Sequence, residues 1–561
     1  MTLRILTLVS VVVALLSPAA NAQTAAADPA VAAEIARLQA SAKADPSQPA
    51  VLVRLSQAYA VANQPRAALE AIEGALALDP MNAEYLHARA ILATWATFYG
   101  RARDSYKALA KVAPADAEVT LNYARVSAWA GDTDRAVNEY RKYLSARPEA
   151  ASVWLELARA ESWRGNYAVA LDELNDFHTR FGESPERLTE VANVLANAGR
   201  PSRAEEMVRS LLETAPDNAQ LNLTRTVALA RQQRARDAFE SLAAFQSIGS
   251  DPVAIRSAER VLRAELASTA EPRVSAYSDS DQLSVQRFSP TVTLALSSGT
   301  RISGGYDRTR LSSAMGSGLE QLDGSTTADV AHIGVGALQK MGRVSVGAQI
   351  GQATVKGRER TTYTLAAQAK PIDTLFVGAE RSEGLFIVSP RTVGLGMTQL
   401  AHRAYGHLML GMRYHVAADV LHQDLSDGNT RLEINVSSRR SMARRARFNL
   451  DLGASAYVLE TSRDLNNGYY DPRRYEFYAI NAFPYFKLHE NVGLALTLAG
   501  GPQRDTNSPS YKFGGTVSGE ATFGIYAPWV LKLNGSATMN QRLDSGAFRG
   551  LGGSVALVRR F

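Results

Sequence analysis

The chain has 561 residues, 46% of them hydrophobic and 21% charged, with a formal net charge of +6 and no cysteine. That length accommodates two domains. The missing thiols exclude disulfides, a lipoprotein anchor, thiolate metal sites and cysteine nucleophiles, and no basic tract with interleaved aromatics speaks for nucleic acid as a partner.

At the N-terminus Arg4 precedes an apolar run over residues 5–16, Pro18 breaks it, and Ala20-Asn21-Ala22 offers a small-x-small cleavage site. This reads as a secretory signal peptide over residues 1–22, with the mature chain starting at Gln23. The run is too short to span a bilayer comfortably, and no later segment is apolar for about 18 residues, so no transmembrane helix is expected. A membrane role then falls to strands, because only helices and closed barrels satisfy their backbones in lipid.

Residues 23–48 read as a leading segment with one extra helix over 29–43. From Pro49 to residue 252 the chain repeats every 34 positions, with frames starting at Pro49, Ala83, Ala117, Ala151, Pro185 and Ala219. Position 20 is Ala68, Ala102, Ala136, Ala170, Ala204 and Ala238; position 8 is always small, from Ser56 to Thr226. Position 24 is always large, as in Ile72, Tyr106 and Tyr140, and position 32 is mostly proline. Small residues let two helices approach, the large residue fills the gap to the next repeat, and proline or glycine ends the second helix. Gly131, Gly165 and Gly199 at position 15 suit a tight turn. The pattern resembles six tetratricopeptide repeats. Residues 253–271 read as a capping helix and linker, since a terminal repeat must cover its apolar face.

Position 13 is Trp95, Trp129 and Trp163 in three successive repeats, with Arg125 and Arg159 four residues before two of them. Each Arg-Trp pair shares one helix face. Two readings follow: the indoles pack between adjacent first helices, or they form an exposed ladder that stacks on sugar rings or grips a partner protein.

From Pro272 the helical period gives way to alternation of apolar and polar residues. In residues 447–458 Phe448, Leu450, Leu452, Ala454, Ala456 and Val458 share one face, and Arg447, Asn449, Asp451, Gly453, Ser455 and Tyr457 the other. Soluble sandwiches alternate too. Here the strands are long, they follow one another with no helical pattern between them, and the chain ends inside a strand at Phe561. These features predict an antiparallel transmembrane β-barrel over 272–561 with 14 to 18 strands, 16 as the working value. The fold class is therefore an all-α repeat solenoid followed by a barrel. The expected pore lining is Arg413, His415, Asp419, Arg431, Glu433, Asn435, Arg447, Asn449, Asp451, Glu520, Lys532 and Asn534. Its mixed charges and amides suit a neutral or weakly charged polymer, and a strongly anionic one less well. The loops around 316–324 and 465–472 are candidates for folding into the pore.

Ser127-Ala128-Trp129-Ala130-Gly131, Glu161-Ser162-Trp163-Arg164-Gly165, Asn467-Gly468-Tyr469-Tyr470-Asp471-Pro472 and, more weakly, Ser278-Asp279-Ser280-Asp281 resemble segments of one family. That family is the outer-membrane exporters of bacterial exopolysaccharides, which includes the cellulose and poly-N-acetylglucosamine exporters. The resemblance implies periplasmic repeats, a barrel in the outer membrane of a Gram-negative bacterium, and Phe561 as a signal read by the barrel-assembly machinery. It implies as partners the exopolysaccharide chain, outer-membrane lipid and the periplasmic or inner-membrane proteins of a polysaccharide synthase complex. The chain departs from the cellulose exporter in having only about six repeats, and from the usual terminal signal at Arg559.

Two other functions fit the same residues less closely. One is a membrane-anchored scaffold or receptor whose repeats bind a protein without glycan transport. The other is a barrel enzyme, which would need a nucleophile-His-Asp constellation near a rim. His402, His407, His415 and His422 lack a nucleophile motif, and His402 and His407 fall on opposite faces of a strand. No enzymatic activity, metal or cofactor is expected.

Overall fold

The computed structural model describes residues 29–114, 116–248, 252–296, 299–506, 508–542 and 546–561. The expected signal peptide lies outside the described residues. The chain divides into two compact units, one ending at Arg164 and one running from Gly165 to Phe561.

The first unit contains α1 (Pro29–Ala44), α2 (Pro49–Val61), α3 (Pro65–Leu78), α4 (Ala83–Trp95), α5 (Tyr99–Val112), α6 (Ala117–Trp129), α7 (Thr133–Ala146) and α8 (Ala151–Trp163). The second opens with α9 (Tyr167–Phe181), α10 (Pro185–Asn197), α11 (Pro201–Thr214), α12 (Ala219–Arg231), α13 (Ala235–Ser247) and α14 (Pro252–Leu266). All six position-20 alanines are fully buried, as are the small residues at position 8. A larger side chain at either place would overpack the helix pair by about 1–3 kcal/mol. In four of the six frames the residue just ahead caps the first helix: Asn82, Asp116, Ser184 and Asn218 accept backbone N–H bonds through their side chains, whereas Gln48 and Ala150 do not. The turn at position 15 is left-handed throughout. Glycine takes it in three repeats, but Asn63, Thr97 and Gln233 take it at φ 56, 64 and 59°.

After α14 come β1 (Thr269–Glu271 and Arg273–Asp279), β2 (Ser284–Phe288 and Thr291–Ala295), β3 (Thr300–Ser312), β4 (Thr327–Met341), β5 (Val344–Val355), β6 (Arg358–Ile372), β7 (Leu375–Leu385), β8 (Thr398–Leu410), β9 (Tyr414–Leu425) and β10 (Thr430–Arg444). They continue as β11 (Phe448–Thr461), β12 (Arg474–His489), β13 (Val492–Asp505), β14 (Ser508–Phe523), β15 (Trp529–Arg542) and β16 (Gly546–Arg560). Pro272 and Pro290, which have no N–H for a ladder, divide the first two strands. Each strand pairs antiparallel with the next. β16 pairs back onto β1 from Gly550↔Asp279 to Ala556↔Arg273, which closes a 16-stranded barrel. The first strand starts at Thr269, ahead of the expected 272.

Connections at one end are short, as at 342–343, 373–374 and 411–413, whereas the other end carries long loops at 313–326, 386–397 and 462–473. Outer-membrane barrels have this asymmetry. The register divides the barrel residues cleanly. Val335, Ile350, Leu365, Ile480, Val517, Leu551 and Val555 stand exposed on one face. The opposite face carries the polar series, so the apolar face meets lipid and the polar face lines the interior. Among the described residues no helix is long and apolar enough to cross a membrane.

Candidate functional site

The interior wall is built from paired charges. Asp419 accepts from Arg403 at 2.7 Å, Glu433 lies 2.9 Å from Arg431 and takes a bond from the Tyr457 hydroxyl at 2.8 Å, and Asp451 pairs with Arg444 at 2.6 Å. Arg287 and Asp307 form another pair. Asn435 is registered opposite Asp419 and Tyr457, and His415 opposite Arg439, all on this interior face. Asn449 and Asp451 share it. Glu520 and Asn534, neighbours across β14 and β15, line a cavity of about 520 Å³ with Ser275, Ser518, Ser536 and Ser554. Lys532 sits opposite Thr522 on the same face. Arg413 and Arg447 occupy short turns instead of strands. Arg413 reaches Asp172 of α9 at 3.7 Å, and Arg447 is exposed.

The long-loop end holds a short helix that no period in the sequence marks. The 386–397 loop contains α15 (Pro390–Gly394), a short helix started by a capping box between Ser389 and Thr392. The expectation of strands with no helix between them is corrected here. The signal was local: serine, proline at the first helical position, and a hydroxyl three residues after the serine. Val393 packs against Leu311, Ala328 and Val330 on β3 and β4, and Phe386 and Met397 pack with Leu425 and Tyr469. A segment touching strands this far apart around the barrel lies on the concave side. The loops at 316–324 and 465–472 lock onto it. Arg391 N–H donates to Leu319 O at 2.8 Å and its Nε to Glu320 O at 3.0 Å. The Tyr469 hydroxyl donates to Asp427 at 2.8 Å and accepts from Asn429 at 2.9 Å. Gly468 is left-handed at φ +85°, and a Cβ there would lie 2.6 Å from the Arg391 Cβ.

The short-turn end is covered by repeat helices of the same unit. Arg200, the N-cap of α11, donates to Gly411 O at 2.5 Å, and Arg203 N–H donates to Asp373 at 3.0 Å. Burial pushes the Arg200 guanidinium below its usual pKa, with Asp373 opposing. Met412 packs with Leu195, Ala196 and Ala228. Gln233, at the strained turn of the last repeat, accepts from Arg301 at 2.5 Å and donates to Glu265 O at 3.0 Å. Its side chain does at this junction what glycine cannot.

In the first unit, the three tryptophans each end a first helix. Trp129 and Trp163 are 48% and 51% exposed, and Trp95 is half-buried against the core of α3 to α6. Trp129 leans on Tyr99, with ring centroids 5.6 Å apart. Arg125 is drawn into a bidentate pair with Glu156 of the following repeat at 2.9 and 2.7 Å, and Arg159 is half-buried. At the chain's end Arg559 lies over the Trp529 ring at 5.0 Å, and Phe561, just beyond β16, is exposed.

No family model matches the chain, and no curated protein does. Solved structures similar to it include a bacterial polysaccharide outer membrane secretin, with 13% identity and TM-score 0.43 over 52% of this chain and 98% of that one. A tetratricopeptide repeat protein from Parabacteroides merdae shares 19% identity at TM-score 0.35, covering 41% of this chain and 92% of its own. CdiB from Acinetobacter baumannii shares 7% at TM-score 0.33, covering 52% and 60%.

Proposed function

We propose that this chain is an outer-membrane export channel for an exopolysaccharide, with its repeats in the periplasm. The observation that carries the reading is the seating of α10 to α14 on the short-turn end of a barrel whose interior is polar and hydroxyl-rich. Short turns face the periplasm in bacterial barrels, so a repeat surface stands at the point where a polymer would enter. Charges already paired along the wall offer hydrogen bonds without a net field that would hold a glycan fast. The inserted α15 loop gives the far end a closure, as a channel for a continuous polymer needs between export events. The first unit recruits synthase or modifying proteins, and the half-exposed Trp129 and Trp163 favour that role. The same exposure supports the second reading, a scaffold whose repeats bind a protein without transport. The channel performs no reaction in either case.

The test pairs secretion with conductance. A strain lacking the gene should lose surface polysaccharide, and the purified protein should form discrete conductance steps in planar bilayers. Unchanged polysaccharide together with a barrel that never conducts would end the export reading. A stoichiometric protein partner under those conditions would favour the scaffold.

A further inference from the structure

The mouth between the last repeats and the barrel's short turns encloses a cavity of about 520 Å³. Its charge differs from that of the wall above it. Among the described residues six cations line it, Arg231, Arg234, Arg301, Lys340, Arg343 and Lys370, against the single carboxylate of Asp373. Along the wall, by contrast, arginine meets carboxylate pair by pair.

The partners of these cations sharpen the difference. Arg234 has Asp237 at 2.5 Å. Arg301 donates to Glu265 O at 2.8 Å, Arg231 to Ala196 O, Lys340 to Gln232 O and Arg343 to Pro371 O. Carbonyl oxygens orient a cation without cancelling its charge. Among the described residues the Lys370 ammonium makes no hydrogen bond or ion pair. Asp373 is already engaged by the Arg203 N–H. Five cations therefore face one half-enclosed space with no carboxylate of their own, where low dielectric strengthens their pull on an anion.

An aromatic track leaves this space. Phe376 lines the cavity, stacks on His407 at 5.0 Å and 21°, and stands 6.0 Å from Tyr405, whose hydroxyl accepts from Gln368 at 3.0 Å. Register puts Phe376, His407 and Tyr405 on the interior face. Cations beside an apolar ring face are the chemistry that holds a sugar bearing a carboxylate: guanidinium and ammonium take the acid, and the ring takes the apolar face of the pyranose.

We propose that this cavity is an entry site for uronate residues of an acidic polysaccharide, bound by Arg301, Lys340, Arg343 and Lys370 and handed along Phe376 and Tyr405 into the lumen. The inference deepens the export reading by naming its substrate class, and it rests on that reading for the polymer.

Calorimetry on the full chain in detergent tests it with three probes: a galacturonate trimer, cellotriose and inorganic phosphate. The trimer should bind, weaken as salt rises, and resist displacement by phosphate at matched concentration; cellotriose should not bind. The double variant R343Q/K370Q removes two charges at the cavity's edge without removing core packing, and should weaken the trimer by about tenfold or more. Lys370→Arg should retain binding. Heat-dependent gel mobility of the barrel confirms that each variant is folded. Equal affinity for cellotriose, complete displacement by phosphate at matched concentration, or an unchanged double variant would overturn the proposal. Intact uronate binding beside unaltered polysaccharide in a deletion strain would overturn export and leave the site standing.

Discussion

Single residues in the repeats carry costs that mutation can read. Thr97 holds the left-handed turn between α4 and α5 at φ 64°, a conformation that crowds a β-branched side chain. Thr97→Gly should stabilise the first unit by about 1 kcal/mol, seen as a higher midpoint of helical circular dichroism. Glu161 works the other way. It is fully buried and takes Arg164 Nε at 2.7 Å and Arg141 at 2.8 Å. Glu161→Ala leaves the 8%-exposed Arg164 side chain without that carboxylate, and should cost about 3 kcal/mol by the same measurement. His87 gives a pH signature. Burial depresses its pKa below the usual 6.5, so the folded state resists a proton that the unfolded chain accepts. The stability of the first repeats should be full above about pH 6.5 and decline as pH falls below it. His87→Phe should flatten that decline, and an unchanged acid limb in the variant would place its cause elsewhere.

At the level of elements, the repeats and the strands were legible because each has a period, 34 for the helix pairs and two for the strands. A position-20 alanine must be small in every repeat, so packing writes it into the sequence six times. The interior face of the barrel was legible for a related reason: one face has to meet lipid. Asp419, Glu433 and Asn435 therefore alternate with Val420, Ile434 and Val436. What stayed illegible has no period. The α15 loop rests on one capping box and on contacts from Val393, Arg391 and Gly468 to residues far away in the chain. The mouth cavity is likewise assembled from turns at 232–234, 342–343 and 370–373, which no local pattern links. Arg413 and Arg447 show the limit of alternation, which carries no mark of where a strand becomes a turn. The inserted loop makes its own prediction. Gly468→Ala forces a Cβ against Arg391 and should loosen the lock, giving longer or larger open states in single-channel records. Replacing 390–394 with a flexible linker should do so more strongly. Records indistinguishable from wild type would mean that α15 lies clear of the conducting path.

The whole molecule assigns different tasks to its two compact units. The one from Gly165 onward holds the barrel, the repeats seated on its short turns and the basic cavity, which under the proposed export function are the parts that admit and pass a polymer. The unit before it holds Trp129 and Trp163, half exposed at the ends of successive first helices. If that unit recruits partners, transport and recruitment are separable. The double variant W129A/W163A should leave barrel folding and single-channel conductance unchanged, because neither indole packs into a helical core as Trp95 packs against that of α3 to α6. Secreted polysaccharide should nevertheless fall, by about tenfold if the two indoles act as hot spots of roughly 1–2 kcal/mol in all. Secretion and conductance are then read on the same variant. Loss of both would mean that the tryptophans serve folding. Loss of neither would move the recruiting surface away from this ladder to another face of the repeats.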